Sequence, residues 1–139
     1  MKNNEENRYT INRKKGIFNI EDTYSRKDND QTRYVRRTEG KVIAFTEEVQ
    51  EDITKTTLAL KSSDGLEGEV CFFGKQKLPK EGLRNQKIIY ENSCVRSFGE
   101  ECMPWGNRHY TITVLSGPLK GDSFKGYIDA AYYTFGFIN

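Results

Sequence analysis

Residues 68–98 read GEVCFFGKQKLPKEGLRNQKIIYENSCVRSF, and this stretch indicates the fold class of the chain. It contains two runs rich in Val, Ile, Phe, Tyr and Cys, at residues 69–73 and 87–98, and a polar connector with Gly and Pro between them. Branched and aromatic side chains pack well on a pleated surface, whereas Gly and Pro interrupt regular structure. The stretch therefore predicts two strands separated by a loop or one short turn.

The alternation of side chains along these two strands predicts which of them face inward. In the first run, we assign Phe72 to the core and Phe73 to the outer face. One face of the second run carries Tyr90, Asn92, Cys94, Arg96 and Phe98. Aromatic side chains can stack on nucleic-acid bases and Arg can hold phosphate, so this face is a candidate binding surface. The alternative is that these aromatic residues form the core and that Arg96 is solvated.

Composition separates the beginning of the chain from the rest. The 139 residues are typical of one domain, but only 35% are hydrophobic and the mean hydropathy is −0.79, which predicts that part of the chain does not pack. The net charge is only +2, yet residues 1–40 hold ten Lys and Arg against seven Asp and Glu. We predict a mobile, partly basic arm over residues 1–38 and a β domain over residues 39–139. Basic clusters beside aromatics, as at residues 33–37, are typical of a nucleic-acid arm or of a solvated tail.

The remaining strand signals lie after residue 40. Residues 41–46, 54–61 and 108–115 are predicted strands, and residues 62–65, SSDG, are a turn signal. Tyr110 shares a face with Ile112 and Val114 and is predicted to be core, with His109 on the opposite face. About five strands and no helix of ordinary length predict an all-β fold, and the economical closure is a small five-stranded barrel. The aromatic segment at residues 127–138 is predicted to cap the domain or to form an interface.

Several classes of protein lack support in the sequence. No apolar run is long enough to span a membrane and the N-terminus lacks the apolar core of a signal peptide, so we expect an intracellular protein without a membrane segment. Cys71, Cys94 and Cys102 form no Cys-x-x-Cys pair, and we expect buried thiols rather than a metal site. With one histidine and no nucleophile or phosphate-loop motif, we expect a non-enzyme without a cofactor.

The order of these elements resembles an OB-fold domain of the replication protein A or single-stranded DNA-binding protein type. The features that match are a glycine-led first strand at residues 40–44, a Thr-rich strand with its turn at residues 54–65, the GEVCFFG strand at residues 68–74, a lysine-rich connector, the strand QKIIYENSCVR at residues 86–96 and a closing strand at residues 107–115. The resemblance covers residues 40–116. It implies an OB-like Greek-key barrel that binds single-stranded DNA, with RNA as a possible variant.

The resemblance also implies which residues bind nucleic acid, by base stacking on aromatics and by phosphate contacts from Lys and Arg. Carried onto this sequence, the candidate residues are Lys55, Lys61, Phe73, Lys75, Lys77, Arg84, Tyr90, Arg96, Phe98, Trp105, Arg108 and His109. Such a protein would act in DNA replication, recombination or repair. The alternative is an OB-fold protein-interaction or assembly module that docks on a protein partner, or on a second copy, through its aromatic C-terminal segment.

Overall fold

The computed structural model describes residues 9–15, 20–26, 31–97 and 108–128, with side chains for residues 12–15, 20–24, 33–94 and 108–128. Most of these residues form strands, and from residue 53 onwards branched and aromatic side chains recur in them with a period of two. The strands are β1 (Tyr9–Lys15), β2 (Ile20–Arg26), β3 (Gln31–Gln50), β4 (Ile53–Lys61), β5 (Glu67–Gly74), β6 (Lys87–Ser97), β7 (Arg108–Val114) and β8 (Ser123–Ile128). One short helix, α1 (Lys80–Leu83), interrupts the connector between β5 and β6.

All strand pairs are antiparallel and belong to one sheet. The order β1-β2-β3-β6-β7-β8 forms a continuous path, and β4 pairs with β3 and β5 beside this path. The all-β prediction is therefore confirmed.

The longest strand, β3, joins two parts of the molecule. Its first half pairs with β2 and β6, and its residues 41–50 pair with β4. The register shifts between Val42 and Ala44, and such a bulge bends the strand from one part towards the other. We call β1, β2 and residues 31–37 the N-terminal extension, and we call residues 38–97 and 108–128 the body. The boundary predicted at residue 38 lies inside β3, and residues 9–15, 20–26 and 31–37 of the predicted arm form strands.

The two ends of the body's sheet meet without a paired ladder. β5 and β8 lie beside each other, but no strand pairing joins them. Their backbones approach at glycines, since a Cβ on Gly74 would lie 3.3 Å from the Cα of Gly126, and a Cβ on Gly126 would collide with the carbonyl oxygen of Phe73. The sheet of eight strands is therefore not closed, and a closed five-stranded barrel is not found in the part of the chain that the structure describes.

The apolar core lies inside the body. It contains Leu58 and Leu60 from β4, Ile88 from β6, Ile112 and Val114 from β7 and Ile128 from β8, all at most 1% exposed. Alternation in β7 buries Tyr110, Ile112 and Val114 and leaves His109 exposed, as predicted. Phe72 is also buried as predicted, and its ring centroid lies 6.0 Å from that of Tyr110.

Phe73 and Tyr90 are both core residues, although the strand pattern placed Phe73 on the outer face and left both a binding surface and the core open for Tyr90. Phe73 is only 2% exposed, because its ring packs against the core residue Tyr110, with the two ring centroids 5.5 Å apart. Tyr90 is 3% exposed, and its hydroxyl donates a 2.6 Å hydrogen bond to the carbonyl oxygen of Cys71. The outer-face prediction for Phe73 is therefore wrong, and for Tyr90 the alternative of a core position is confirmed.

Ion pairs hold the N-terminal extension together. Asp22 is 1% exposed, and Arg13 bonds both of its carboxylate oxygens, with Nε to Oδ1 at 2.7 Å and Nη2 to Oδ2 at 3.0 Å. The hydrogen bond from Arg13, together with its charge, lowers the pKa of Asp22 below its ordinary value. Arg36 and Arg37 pair with Glu21 and Glu91, each at 3.3 Å. Carboxylates thus offset part of the basic charge on which the predicted nucleic-acid arm depended.

Cysteine chemistry differs from the expectation in one respect. Cys71 is a half-buried free thiol, whereas Cys94 is disulfide-bonded and 5% exposed. The prediction of a buried thiol at Cys94 is therefore wrong. In the described part of the chain, no helix has the length and apolar character needed to cross a membrane.

Candidate functional site

A cavity of about 640 Å³ lies where the end of β8 meets the turn that follows β5. The apolar part of its lining comes from Ile53, the first residue of β4, and from Gly126 and Ile128, which face inward on β8. Its lining residues are Ile53, Lys75, Gln76, His109, Lys125, Gly126, Tyr127 and Ile128. The volume lies within the range typical of small-molecule clefts. We call this cavity the first pocket.

An exposed aromatic pair forms one wall of the first pocket. His109 on β7 and Tyr127 on β8 are direct partners across the antiparallel pair, so their side chains leave the sheet side by side. Their ring centroids lie 4.8 Å apart and their planes are inclined by 36°. Tyr127 is 42% exposed, which is unusual for a large aromatic ring in the described residues. This pair offers a ring face on which a planar ligand can stack.

Two lysines give the first pocket a positive charge. Lys125 is exposed on β8, on the same face as Tyr127, because the two residues are separated by two positions. Lys75 follows β5, and its Nζ lies 3.7 Å from Oδ2 of Asp52, with both side chains more than half exposed. An exposed pair at this distance is weak, so an anionic ligand can compete with Asp52 for the lysine. The pocket can therefore combine ring stacking with contacts to an anion.

A second, smaller cavity lies on the inner side of the sheet, where the extension joins the body. We call it the second pocket; its volume is about 230 Å³, and its lining residues are Glu21, Tyr34, Arg36, Asn92, Cys94 and Arg108. Arg108 and His109 are neighbours at the start of β7, and their side chains leave opposite faces of the strand. The two pockets therefore lie on opposite sides of the beginning of β7.

The structure brings together only part of the predicted site. Lys75 and His109 line the first pocket, and Arg108 lines the second. Phe73 and Tyr90 are core residues, as described above. For Arg96 the structure describes the strand backbone only, and the predictions for Phe98, Trp105 and the C-terminal segment at residues 129–139 lie outside the described residues.

The other predicted basic residues lie away from both pockets. Lys77 lies 3.5 Å from Oε1 of Glu47, and Arg84 pairs with Glu81 at 3.2 Å while its guanidinium lies 5.7 Å from the ring centre of Phe45. The remaining two, Lys55 and Lys61, lie on β4 and line neither pocket.

Sequence reasoning missed Lys125 and Tyr127, which complete the first pocket. The alternation in residues 123–128, SFKGYI, contains the signal, because it places Ser123, Lys125 and Tyr127 on one face of a strand. Only the end of this segment, from Tyr127, belongs to the aromatic segment that is predicted to cap the domain or to form an interface. Sequence reasoning also missed Glu21 in the second pocket, whereas Tyr34 and Arg36 belong to the cluster at residues 33–37 that is typical of a nucleic-acid arm or of a solvated tail.

Neither pocket indicates a metal site, since the described residues contain no group of three or more His, Cys, Asp and Glu that could hold a metal ion. Comparison with known proteins adds no name for the site: no protein-family model, curated protein or solved structure matches the chain. Any function must therefore be inferred from the pockets themselves.

Proposed function

We propose that this protein is a non-catalytic, single-stranded DNA-binding protein and that the first pocket is its contact site. The observation that supports the proposal is the exposed His109 and Tyr127 pair with Lys75 and Lys125 around the same cavity. Each nucleotide of a strand has a base with two flat faces, and a negatively charged phosphate precedes and follows it in the backbone. The pocket offers a ring for the base and ammonium groups for the phosphates.

A single strand suits this pocket better than a duplex. A base can enter a cavity and stack on Tyr127 only if its own faces are accessible, and in a duplex they are covered by neighbouring base pairs. Stacking is largely independent of base identity, so the first pocket would accept any base. Such a property fits a role in DNA replication, recombination or repair, where single strands of many sequences occur.

The proposal includes an OB-like architecture for the body. Its support is the pairing of one long, bent strand, β3, with both β4 and β6, followed by the approach of β5 to β8 without a ladder. In OB-folds, oligonucleotides bind on one side of such a partly open barrel. The first pocket lies beside the approach of β5 to β8, where no ladder joins the two strands.

The test of the proposal is fluorescence anisotropy with labelled oligo-dT, oligo-U and duplex DNA at two salt concentrations. We expect oligo-dT to bind more tightly than the duplex and its affinity to fall as salt rises. Replacing the ring in Tyr127→Ala should weaken oligo-dT binding by about 5-fold to 100-fold, whereas Tyr127→Phe should retain most of the affinity because the ring remains.

Lysine variants separate a local contact from general attraction. Lys125→Glu should lower oligo-dT affinity and the steepness of its salt dependence, since it removes a phosphate contact. Lys120→Glu is the matched control, because it makes the same charge change in the turn between β7 and β8, at the opposite end of these strands. Equal losses in both lysine variants, or oligo-dT binding that is unchanged by Tyr127→Ala, would contradict the proposed site.

A further inference from the structure

The second pocket differs from the first in both shape and chemistry. It is smaller, and it lies on the inner face of the sheet between residues of four neighbouring strands. Strand register explains this arrangement, because Arg36 is opposite Glu21 on β2 and opposite Asn92 on β6. Arg108 contributes from β7, beside β6. A pocket built from fixed strand positions holds its polar groups in a defined geometry.

Hydrogen-bond donors and acceptors both face this pocket. Arg36 and Arg108 carry guanidinium donors, Tyr34 carries a hydroxyl, and Glu21 carries a carboxylate. The Nη2 of Arg36 donates a 3.3 Å hydrogen bond to Oε2 of Glu21. This bond does not involve Oε1, the other carboxylate oxygen of Glu21. The ligand that fits such a lining must itself combine donors with acceptors.

Asn92 supplies an independent indication of a ligand. Its Oδ1 is buried and has no hydrogen-bond partner among the described residues. A buried polar atom without a partner costs free energy, and a ligand that bonds to it removes this cost. If the amide is turned around, a buried NH2 group takes the same place and needs a partner as well.

These observations distinguish a base from a phosphate. The phosphate of a nucleic-acid backbone carries only acceptors at neutral pH, so it could bond to the arginines but would leave Oδ1 of Asn92 unsatisfied. The edge of a base carries donors and acceptors side by side and can bond to Asn92 in either orientation of its amide. The ring of Tyr34 also lines the pocket and offers a surface for a base.

We propose that the second pocket reads one base of the bound strand and prefers guanine. Guanine presents two adjacent donors, N1–H and the N2 amine, which the carboxylate of Glu21 can accept. Its O6 and N7 acceptors suit a guanidinium, the commonest specific partner of guanine. This inference rests on the proposed single-strand binding, and it adds a preference for one base to the stacking in the first pocket.

The position of the second pocket permits both contacts on one strand. Arg108 and His109 are consecutive residues, and one faces each pocket. Their side chains leave opposite faces of the sheet, so a strand that stacks on the His109 and Tyr127 pair would reach the second pocket by passing around the start of β7.

The experiment uses anisotropy competition between three labelled 12-mers: all-dT, dT with one central dG, and dT with one central deoxyinosine, which lacks the N2 amine. We expect the dG oligomer to bind about tenfold more tightly than all-dT. Deoxyinosine should lose most of this gain. Glu21→Gln should abolish the preference for dG, so that the dG oligomer and all-dT bind this variant with the same affinity.

Glu39→Gln is the matched control. Glu39 is an exposed acid on β3 that pairs with Lys87 at 3.4 Å and lines neither pocket, so this variant should keep the full preference for dG. Circular dichroism would establish that both variants are folded.

The measurements distinguish a failure of the base preference from a failure of the proposed function. If the wild-type protein binds all three oligomers equally and Tyr127→Ala weakens them all, base reading is overturned while the proposed function stands. A preference for dG that persists in Glu21→Gln would also overturn the second pocket as its origin. If no oligomer binds at low salt, both the proposed function and this inference fail.

Discussion

The N-terminal extension and the body share one strand, β3, but different forces hold them together. In the body, Leu58, Ile88 and Ile112 belong to a continuous apolar core in which each is fully buried. Among the side chains described in the extension, the only buried apolar one is Val35, at 7% exposure, and the buried carboxylate of Asp22 is paired with Arg13. One sheet therefore contains a part stabilised by apolar burial and a part stabilised mainly by strand pairing and ion pairs.

This difference predicts which of the two parts should unfold locally first. Burial of an apolar side chain contributes about 1.5 to 3 kcal/mol and depends little on pH or salt. Exposed ion pairs contribute less than about 1 kcal/mol each and are screened by salt. We therefore expect the extension to open locally while the body remains folded. The second pocket spans the junction of the two parts, so base reading should depend on an ordered extension.

The largest expected effect comes from breaking the body where its sheet nearly closes. In Gly126→Val, the new Cβ would collide with the carbonyl oxygen of Phe73 and would lie 2.8 Å from Cζ of Phe72. Because backbone on one side and core on the other leave no space, we expect a loss of at least about 3 kcal/mol in the free energy of unfolding. Urea denaturation followed by circular dichroism measures this loss.

Ser123→Val is the control for this substitution. Ser123 is exposed on the same strand, and valine is favourable in strands, so the free energy of unfolding should change by less than about 0.5 kcal/mol. If Gly126→Val is as stable as Ser123→Val, β8 does not approach β5 as described.

The second effect should be confined to the extension. Asp22→Asn keeps the shape of the side chain but replaces the charged carboxylate, whose two oxygens accept hydrogen bonds from Arg13, with a neutral amide. Removal of one partner of a charged, buried hydrogen bond costs about 1.5 to 3 kcal/mol. We expect faster amide hydrogen exchange in β1 and β2, with exchange in β4 and β7 unchanged.

Glu39→Gln serves again as the control, because it removes a carboxylate from an exposed pair on β3. Its hydrogen exchange should match that of the wild-type protein. Equal acceleration of exchange in the extension and the body of Asp22→Asn would show that the two parts open together. It would contradict local opening of the extension.

The strands of the body could be predicted from the sequence, whereas those of the extension could not. In the body, strands β4 to β7 follow from alternating apolar residues, and the burial of Phe72 and Tyr110 follows from the same period. In the extension, no such period exists, because strands β1 and β2 are stabilised by pairs such as Arg13 with Asp22. Polar composition was therefore interpreted as mobility.

The candidate site was harder to predict than the fold because it depends on contacts between distant strands. Alternation alone places Phe73 on the outer face of β5, but its ring packs against Tyr110 of β7, a contact between distant strands. Lys75 and His109 were predicted individually. Their proximity to Lys125 and Tyr127 depends on the position of β8 against the end of β5, which local sequence does not specify.

A smaller effect tests one hydrogen bond inside the body. Tyr90→Phe removes the hydroxyl that donates to the carbonyl oxygen of Cys71 and leaves the ring in place. A typical intramolecular hydrogen bond contributes about 1 kcal/mol, so the free energy of unfolding should fall by about that amount. Tyr127→Phe is the control, since its ring is 42% exposed and it should cost almost nothing. Identical stability of the two variants would mean that the bond to Cys71 contributes nothing measurable.

The smallest expected effect is a dependence on pH that appears in the extension before it appears in the body. Arg13 lowers the pKa of Asp22 in the folded protein, first by its hydrogen bonds and then by its charge. The stabilisation from Asp22 is therefore fully present above the carboxyl pKa of the unfolded chain, about 3.9, and is lost as the pH falls through the folded pKa. Amide exchange of β1 and β2, corrected for its intrinsic pH dependence, should not change between pH 7 and about pH 5 and should accelerate below about pH 4. In Asp22→Asn this acceleration should be reduced, because the group that titrates is absent. Acid-induced exchange that begins in β4 and β7 instead would mean that the apolar core, rather than the Arg13 and Asp22 pair, is the first part of the molecule to open.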